Sequence, residues 1–177
     1  FWYYSTHGWT DILDQFDPKT ITLQAGNGGR VHCAGKQDSI AVGWRGNRSV
    51  SIEANRGYKI ADVRVDGHSV GAPSSYAFQD VTTDRTLSAS FSPISYTFRF
   101  HENGGSGSME DLVFHYDELK NLTPNSFVRT GYRFTGWNTS PEGNGTPYLD
   151  QQEIANLTSV DGTVIDLYAQ WEPISYQ

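Results

Sequence analysis

The four-residue word Pro-Ile-Ser-Tyr occurs twice in the chain, at positions 93–96 and, 80 positions later, at 173–176. An Asn-Gly-Gly word recurs in a similar way, at 27–29 and at 103–105. Words that recur at such an interval indicate that a chain repeats one structural unit. The 177 residues are therefore predicted to form two small related modules rather than one large domain.

Apolar and polar residues alternate along several segments of both halves. This period of two is typical of a β-strand with one buried face. The alternating apolar residues are Ile21, Leu23, Ala25, Val50 and Ile52 in the first half and Tyr96, Phe98, Phe100, Ile165, Leu167, Ala169 and Trp171 in the second. We therefore predict a mainly β protein.

Glycine-containing turns separate the predicted strands. Asn-Gly-Gly follows the first strand of each half and accepts positive φ angles at little cost. Asp66-Gly67 lies between two apolar runs, which predicts a two-residue hairpin. The 18 glycines and the 14% share of aromatic residues suit short strands whose few large rings supply most of the core.

One short helix is predicted in the second half. Asp150 is followed three positions later by Glu153, which is the spacing of a capping box. Ile154, Ala155 and Leu157 follow as the apolar residues of the helix.

The domain organisation follows from the repeated words. We predict a β module at 18–94 and a β module with the short helix at 95–172, followed by a linker at 173–177 to a further module. Pro93 and Pro173 suit the exit from a module because proline cannot continue a central strand. Residues 1–17 are rich in aromatics and are interpreted as a strap or as the end of a preceding module; the alternative is an exposed aromatic patch for a ligand.

Composition excludes several classes of protein. The net charge is −7, with nine basic and six acidic residues between positions 18 and 95 but four basic and eleven acidic between 96 and 177. An acidic second module argues against nucleic acid as a partner. No run approaches the roughly 20 apolar residues of a membrane span, so we expect no membrane insertion in this segment. Because the chain begins with Phe1, we expect it to be part of a longer protein.

No arrangement of residues predicts catalysis, a metal site or a cofactor. His32 and Cys33 are adjacent, so on a strand they would point to opposite faces and could not share a proton. The histidines lack the spacing of a zinc site. We therefore predict that the segment is not an enzyme.

Several spaced words resemble a known family. Residues 96–172 resemble the Listeria/Bacteroides repeat of the internalin B-repeat family, through NGG at 103–105, GYRFTGWNT at 131–139 and LYAQW at 167–171. Residues 20–91 look like a divergent B-repeat module.

The resemblance implies a β-grasp-like fold for the second module and a small β fold for the first. Such modules occur in tandem on bacterial surface and secreted proteins, and the family brings no catalytic residues. It therefore implies a non-enzymatic stalk, spacer or adhesive segment, located outside a Gram-positive-like cell, at its surface or wall. Trp137 and Tyr132 belong to the family pattern and are interpreted as core residues rather than as platforms for sugars.

The best candidate for binding is a turn that departs from the family pattern. Trp44, Arg45, Asn47 and Arg48 combine a ring, two cations and an amide at a predicted turn. The alternative is a solvated turn whose tryptophan folds back on the module. A host or bacterial surface protein, a glycan and adjacent modules of the same chain are the expected partners of an otherwise monomeric segment. The alternative function is an accessory carbohydrate-binding segment of a large extracellular glycan-acting enzyme.

Overall fold

A computed structural model describes residues 17–175, and every regular element in this range is a β-strand. The prediction of a mainly β protein is confirmed. The strands are β1 (Lys19–Ala25), β2 (Gly29–His32), β3 (Ser39–Val42), β4 (Gly46–Ala54), β5 (Tyr58–Val65), β6 (His68–Ser69), β7 (Ser75–Val81), β8 (Arg85–Pro93), β9 (Ser95–His101), β10 (Leu112–His115), β11 (Lys120–Asn121), β12 (Tyr132–Asn138), β13 (Pro147–Tyr148), β14 (Glu153–Ile154) and β15 (Thr163–Pro173). In this range no helix is long and apolar enough to cross a membrane.

The chain divides into two compact units between Ser92 and Pro93. The first unit holds a five-stranded sheet in the order β3-β1-β8-β5-β6 and a three-stranded sheet in the order β2-β4-β7. Its first and last long strands, β1 and β8, pair in parallel from Ile21 opposite Arg85 to Ala25 opposite Ala89.

The second unit repeats this plan. Its five-stranded sheet has the order β10-β9-β15-β12-β13, and β11 pairs with β14 apart from it. β9 and β15 again pair in parallel, from Tyr96 opposite Thr163 to His101 opposite Tyr168. In both units the first strand lies beside the last one, and the last strand, β8 or β15, ends at the proline of the repeated word. The repeat read from the sequence is therefore a repeat of topology.

The alternation read from the sequence marks most of the residues that each core buries, but Ala25 at the end of β1 is exposed. The core of the first unit centres on aliphatic side chains such as Ile21, Val50, Ile52 and Leu87. The core of the second unit is aromatic, and rings of Tyr96, Phe98 and Phe114 lie within 6.0 Å of one another, centre to centre. Trp137 is 1% exposed, which places its ring in this core. Such rings bury large apolar areas in a small unit.

The Asn-Gly-Gly sequences have the same structural role in both units. Gly28 and Gly104 adopt φ angles of 93° and 82°, which favour glycine. The next glycine lies against an aromatic residue of the last strand: a Cβ on Gly105 would be 2.8 Å from Trp171. In the first unit a Cβ on Gly29 would overlap the ring of Phe91. The word therefore combines a tight turn with space for one ring.

The predicted hairpin at Asp66-Gly67 is present. Asp66 and Gly67 have φ angles of 50° and 81°, and they join β5 to β6.

The short helix predicted from Asp150 to Leu157 is wrong. Residues 150–151 form a turn, and Glu153–Ile154 forms β14, which pairs with β11. Gln151 and Asn156 have positive φ angles, 55° and 52°, so the chain cannot continue as a right-handed helix. Asp150 does not cap a helix either, because its carboxylate accepts the backbone N–H of Asn125 at 2.9 Å.

The aromatic segment predicted as a strap at 1–17 lies outside the described residues, apart from Asp17. The last two residues of the predicted linker at 173–177 also lie outside them. The predicted module limits and the β-grasp-like arrangement stay predictions.

Candidate functional site

The candidate binding turn joins β3 to β4. The N–H of Gly46 donates to the carbonyl of Gly43 at 2.7 Å, which closes a tight turn around Trp44 and Arg45. Arg45 adopts a φ of 60°, and β4 carries a bulge between Gly46 and Arg48 where it pairs with β7. Bulges turn side chains away from the regular alternation of a strand. The local backbone therefore presents Arg45, Asn47 and Arg48 as exposed residues beside a partly buried Trp44.

An acidic residue of β7 holds this turn in place. Arg45 Nε donates to Asp80 Oδ1 at 2.7 Å, and its Nη2 donates to Oδ2 at 3.3 Å. The backbone N–H of Asp80 in turn donates to Asn47 Oδ1 at 2.9 Å. The hydrogen bond from Arg45 lowers the pKa of Asp80, and the same bond raises the pKa of Arg45. Both groups therefore stay charged at neutral pH.

The guanidinium of Arg45 also lies over the ring of Trp44, with its central carbon 5.2 Å from the ring centroid. This distance falls within the range of a cation–π contact. Arg48 takes a different role, because its Nη1 donates to the backbone carbonyl of Asn47 at 2.9 Å.

The structure thus brings together three of the four predicted residues, Trp44, Arg45 and Asn47, and adds Asp80. Asp80 was missed because it lies more than 30 positions away in sequence and no local pattern marks it. The turn presents an aromatic ring with a guanidinium over it, together with a carboxylate and an amide that hydrogen bonds connect to the same turn. Such a set can contact both the apolar face and the hydroxyl groups of a ligand.

His32 and Cys33 do not form a catalytic pair. His32 Nε2 lies 2.9 Å from Glu53 Oε1, and Arg30 holds the other carboxylate oxygen of Glu53 at 2.6 Å. Hydrogen bonds from His32 and Arg30 lower the pKa of Glu53. Cys33 packs instead against the hydrophobic core of the first unit. The imidazole and the thiol therefore have separate environments.

A second histidine–carboxylate pair lies on the sheet of the second unit. His101 Nε2 is 2.7 Å from Asp166 Oδ1, and the ring of His101 stacks on Tyr168 with a centroid distance of 4.5 Å. No third ligand joins this pair: within residues 17–175 no group of three His, Cys, Asp or Glu side chains could hold a metal ion.

A cavity of about 280 Å³ lies beside the paired strands β12 and β13 in the second unit. Its lining, which includes Tyr148, Gln152 and Gln170, carries no charged side chain. Burial raises the pKa of Tyr148, so its hydroxyl stays protonated. The cavity lining contains neither a nucleophile beside a base nor a pair of acidic side chains.

Two comparisons with known proteins bear on the chain. Residues 96–170 match the Listeria-Bacteroides repeat domain. A protein of Evansella cellulosilytica named "Putative Gly-rich membrane protein" is 28% identical over 137 residues, which cover 75% of this chain. The matched part makes up 15% of that relative, so the chain spans a small share of its length.

Proposed function

Residues 96–170 are a Listeria-Bacteroides repeat domain, and from this premise we propose that the chain is a non-enzymatic spacer segment of a bacterial surface protein. The similarity to a much longer protein named as a membrane protein supports a place within a large surface-associated chain. We expect this place to be outside the cell, at its surface or wall.

The parallel pairing of first and last strands carries this proposal. Because β1 and β8 run in the same direction, the chain enters the sheet at one end and leaves it at the other. The same holds for β9 and β15 in the second unit. In each unit the strand register places the start of the first strand about ten residues from the end of the last strand. At the rise of a β-strand this separation is about 33 Å. Each unit therefore advances the chain by the length of its sheet, as a spacer requires.

The same geometry makes each unit resistant to pulling. The hydrogen bonds between β9 and β15 lie across the strands, so a force along the strands loads all of them together. By contrast, Tyr132 lies opposite Pro173 at the end of the antiparallel β12–β15 pair. A force that separates these two residues breaks the ladder one bond at a time.

Single-molecule force spectroscopy tests this function. Cys33 is replaced by serine, and cysteine handles are placed either at Ser95 and Pro173 or at Tyr132 and Pro173. We expect a clearly higher unfolding force for the first pair than for the second pair, in the same unit. Equal forces for the two pairs would contradict a load-bearing role.

A second function is favoured by the fixed turn at Trp44. We propose that this turn binds a glycan, either in adhesion or as an accessory segment of an extracellular glycan-acting enzyme. The bidentate contact of Arg45 with Asp80 keeps the guanidinium over the ring of Trp44 before a ligand arrives, and this preorganisation reduces the entropy cost of binding.

A glycan array tests the second function with three proteins: the wild type, Trp44→Ala and Leu119→Ala. Leu119 is 67% exposed and lies in the other unit, so its variant serves as the control. We expect wild type and Leu119→Ala to bind the same glycans and Trp44→Ala to lose them. Absence of binding by all three proteins, or binding that Trp44→Ala retains, would remove this function.

A further inference from the structure

The described part of the chain contains five places where Asn or Asp precedes glycine. They are residues 27–28, 66–67, 103–104, 144–145 and 161–162. At such a pair the backbone nitrogen of glycine can attack the side-chain carbonyl carbon of the preceding residue, because glycine has no side chain to hinder the approach. The reaction needs both groups to be unengaged, since a hydrogen bond to either group must break first.

Hydrogen bonds protect the two Asn-Gly pairs of the second unit. The side-chain amide of Asn103 donates to the carbonyls of Pro141 and Ala169, both at 2.9 Å. Asn144 is protected through its neighbour, because the N–H of Gly145 donates to Asn138 Oδ1 at 2.9 Å. At Asn103 hydrogen bonds hold the side-chain amide that would be attacked. At Asn144 the attacking group, the N–H of Gly145, already donates a hydrogen bond.

The two Asp-Gly pairs are protected as well. The carboxylate of Asp66 accepts hydrogen bonds from the backbone N–H of Thr86 and from Arg85. Asp161 accepts the backbone N–H of Ser95 at 2.9 Å, and the N–H of Gly162 donates to the Ser95 carbonyl at 2.8 Å.

Asn27-Gly28 differs from the other four pairs. Asn27 is exposed, and within residues 17–175 neither its side chain nor the N–H of Gly28 has a hydrogen-bond partner. Gly28 is anchored only through its carbonyl, which accepts the N–H of Asn55 at 2.8 Å. We propose that Asn27 is the site of spontaneous deamidation in the folded protein.

The reaction needs only water as a co-reactant. The Gly28 nitrogen loses its proton and bonds to Cγ of Asn27, the Cγ–Nδ2 bond breaks, and ammonia leaves with that proton. Water then adds to one of the two carbonyl carbons of the cyclic imide and opens the ring. Opening gives either aspartate or isoaspartate, in which the backbone runs through the former side chain.

The product changes the first unit in two ways. A negative charge is added to residues 18–95, where basic residues exceed acidic ones by three. Isoaspartate also inserts a methylene into the turn that holds Gly28 against Tyr58, where an ideal Cβ would overlap the ring. The longer backbone changes the geometry of this tight turn, so the first unit is expected to lose stability.

Peptide mapping by mass spectrometry tests the proposal on the intact chain. The folded protein is incubated at mildly alkaline pH, and deamidation is followed at Asn27, Asn103 and Asn144 in the same digests. Each hydrogen bond that must break first slows the reaction by about tenfold. We therefore expect Asn144 to react about tenfold and Asn103 about a hundredfold more slowly than Asn27.

The urea-unfolded chain is the control, because all three sites share the dipeptide Asn-Gly. In urea the three rates are expected to become similar. The proposal is overturned if Asn27 stays intact in the folded protein, if Asn103 or Asn144 reacts as fast as Asn27, or if the differences persist in urea. The variant Asn27→Ser must abolish the main deamidated product. If this product still forms in the variant, the assignment is also overturned.

Discussion

The third residue of the Asn-Gly-Gly word in the second unit is expected to tolerate no side chain. An ideal Cβ on Gly105 would lie 2.8 Å from Trp171 Cζ2, 2.9 Å from the Val128 carbonyl oxygen and 3.1 Å from that of Glu102. The Val128 carbonyl cannot withdraw freely, since it accepts the N–H of Ser106 at 2.8 Å. Gly105→Ala must therefore displace backbone, ring or both.

The cost follows from these contacts. Overpacking a filled site costs about 1–3 kcal/mol. The ring of Trp171 is also held by a hydrogen bond from Nε1 to the Glu102 carbonyl at 3.0 Å, and losing such a bond costs about 1 kcal/mol. Gly105→Ala should therefore lower the free energy of unfolding of the second unit by about 2–4 kcal/mol.

Amide hydrogen exchange measured by mass spectrometry reports the two units separately and suits this test. Protection should fall in β9, β12 and β15 and stay unchanged in the first unit. Gly43→Ala is the matched control, because its Cβ meets nothing within 4 Å and its φ is not in the left-handed region. That variant should be neutral or stabilise by about 0.4–1 kcal/mol. Wild-type protection in Gly105→Ala would refute the reasoning.

Three further predictions concern the two cores, the buried amide of Asn138 and the carboxylate of Asp66. Leu87→Ala and Leu167→Ala remove fully buried side chains from the equivalent strands β8 and β15, so each should destabilise its own unit by about 2–5 kcal/mol in urea unfolding. Asn138→Ala leaves backbone groups of the 143–145 loop without partners, and thermal unfolding should show a loss of about 1–3 kcal/mol. Burial raises the pKa of Asp66, but hydrogen bonds from the Thr86 amide and Arg85 outweigh it and leave the pKa lowered. The stability that the Asp66 carboxylate contributes should therefore be complete above about pH 5 and be lost as the pH falls through its folded pKa. In an acid titration of stability, Asp66→Asn should show a smaller loss than the wild type.

Local signals predicted much of the fold because they act over a few residues. Alternation identified the inward faces of β1 and β9, and Ile21, Tyr96 and Phe98 are fully buried. The hairpin at Asp66-Gly67 was predictable because both residues accept positive φ angles.

The predicted helix shows where local signals fail. The spacing of Asp150 and Glu153 suits a capping box, yet the Asp150 carboxylate binds the N–H of Asn125. Ile154 is buried through the pairing of β14 with β11 and not on a helical face. The spacing of a capping box indicates only that the carboxylate can accept hydrogen bonds from backbone N–H groups, and here the donor is Asn125 in a distant loop.

The candidate site was predicted in part for the same reason. The ring and cations of Trp44 and Arg45 could be recognised in a short stretch of sequence. Their partner Asp80 could not be recognised, because it reaches the turn only through the pairing of β4 with β7.

The sequence by itself determined that this chain is built of short strands, which side of the main strands is buried, and that one plan occurs twice. These properties follow from periodicity, from the φ preferences of glycine and asparagine, and from the repeated words. Only the tertiary structure decided that the first and last strands of each unit lie side by side in parallel, and that Asp80 and Asp150 bind distant partners. The physical reason is that backbone N–H and C=O groups are the same in every strand. Alternation therefore tells which face is buried but not which strand becomes the neighbour.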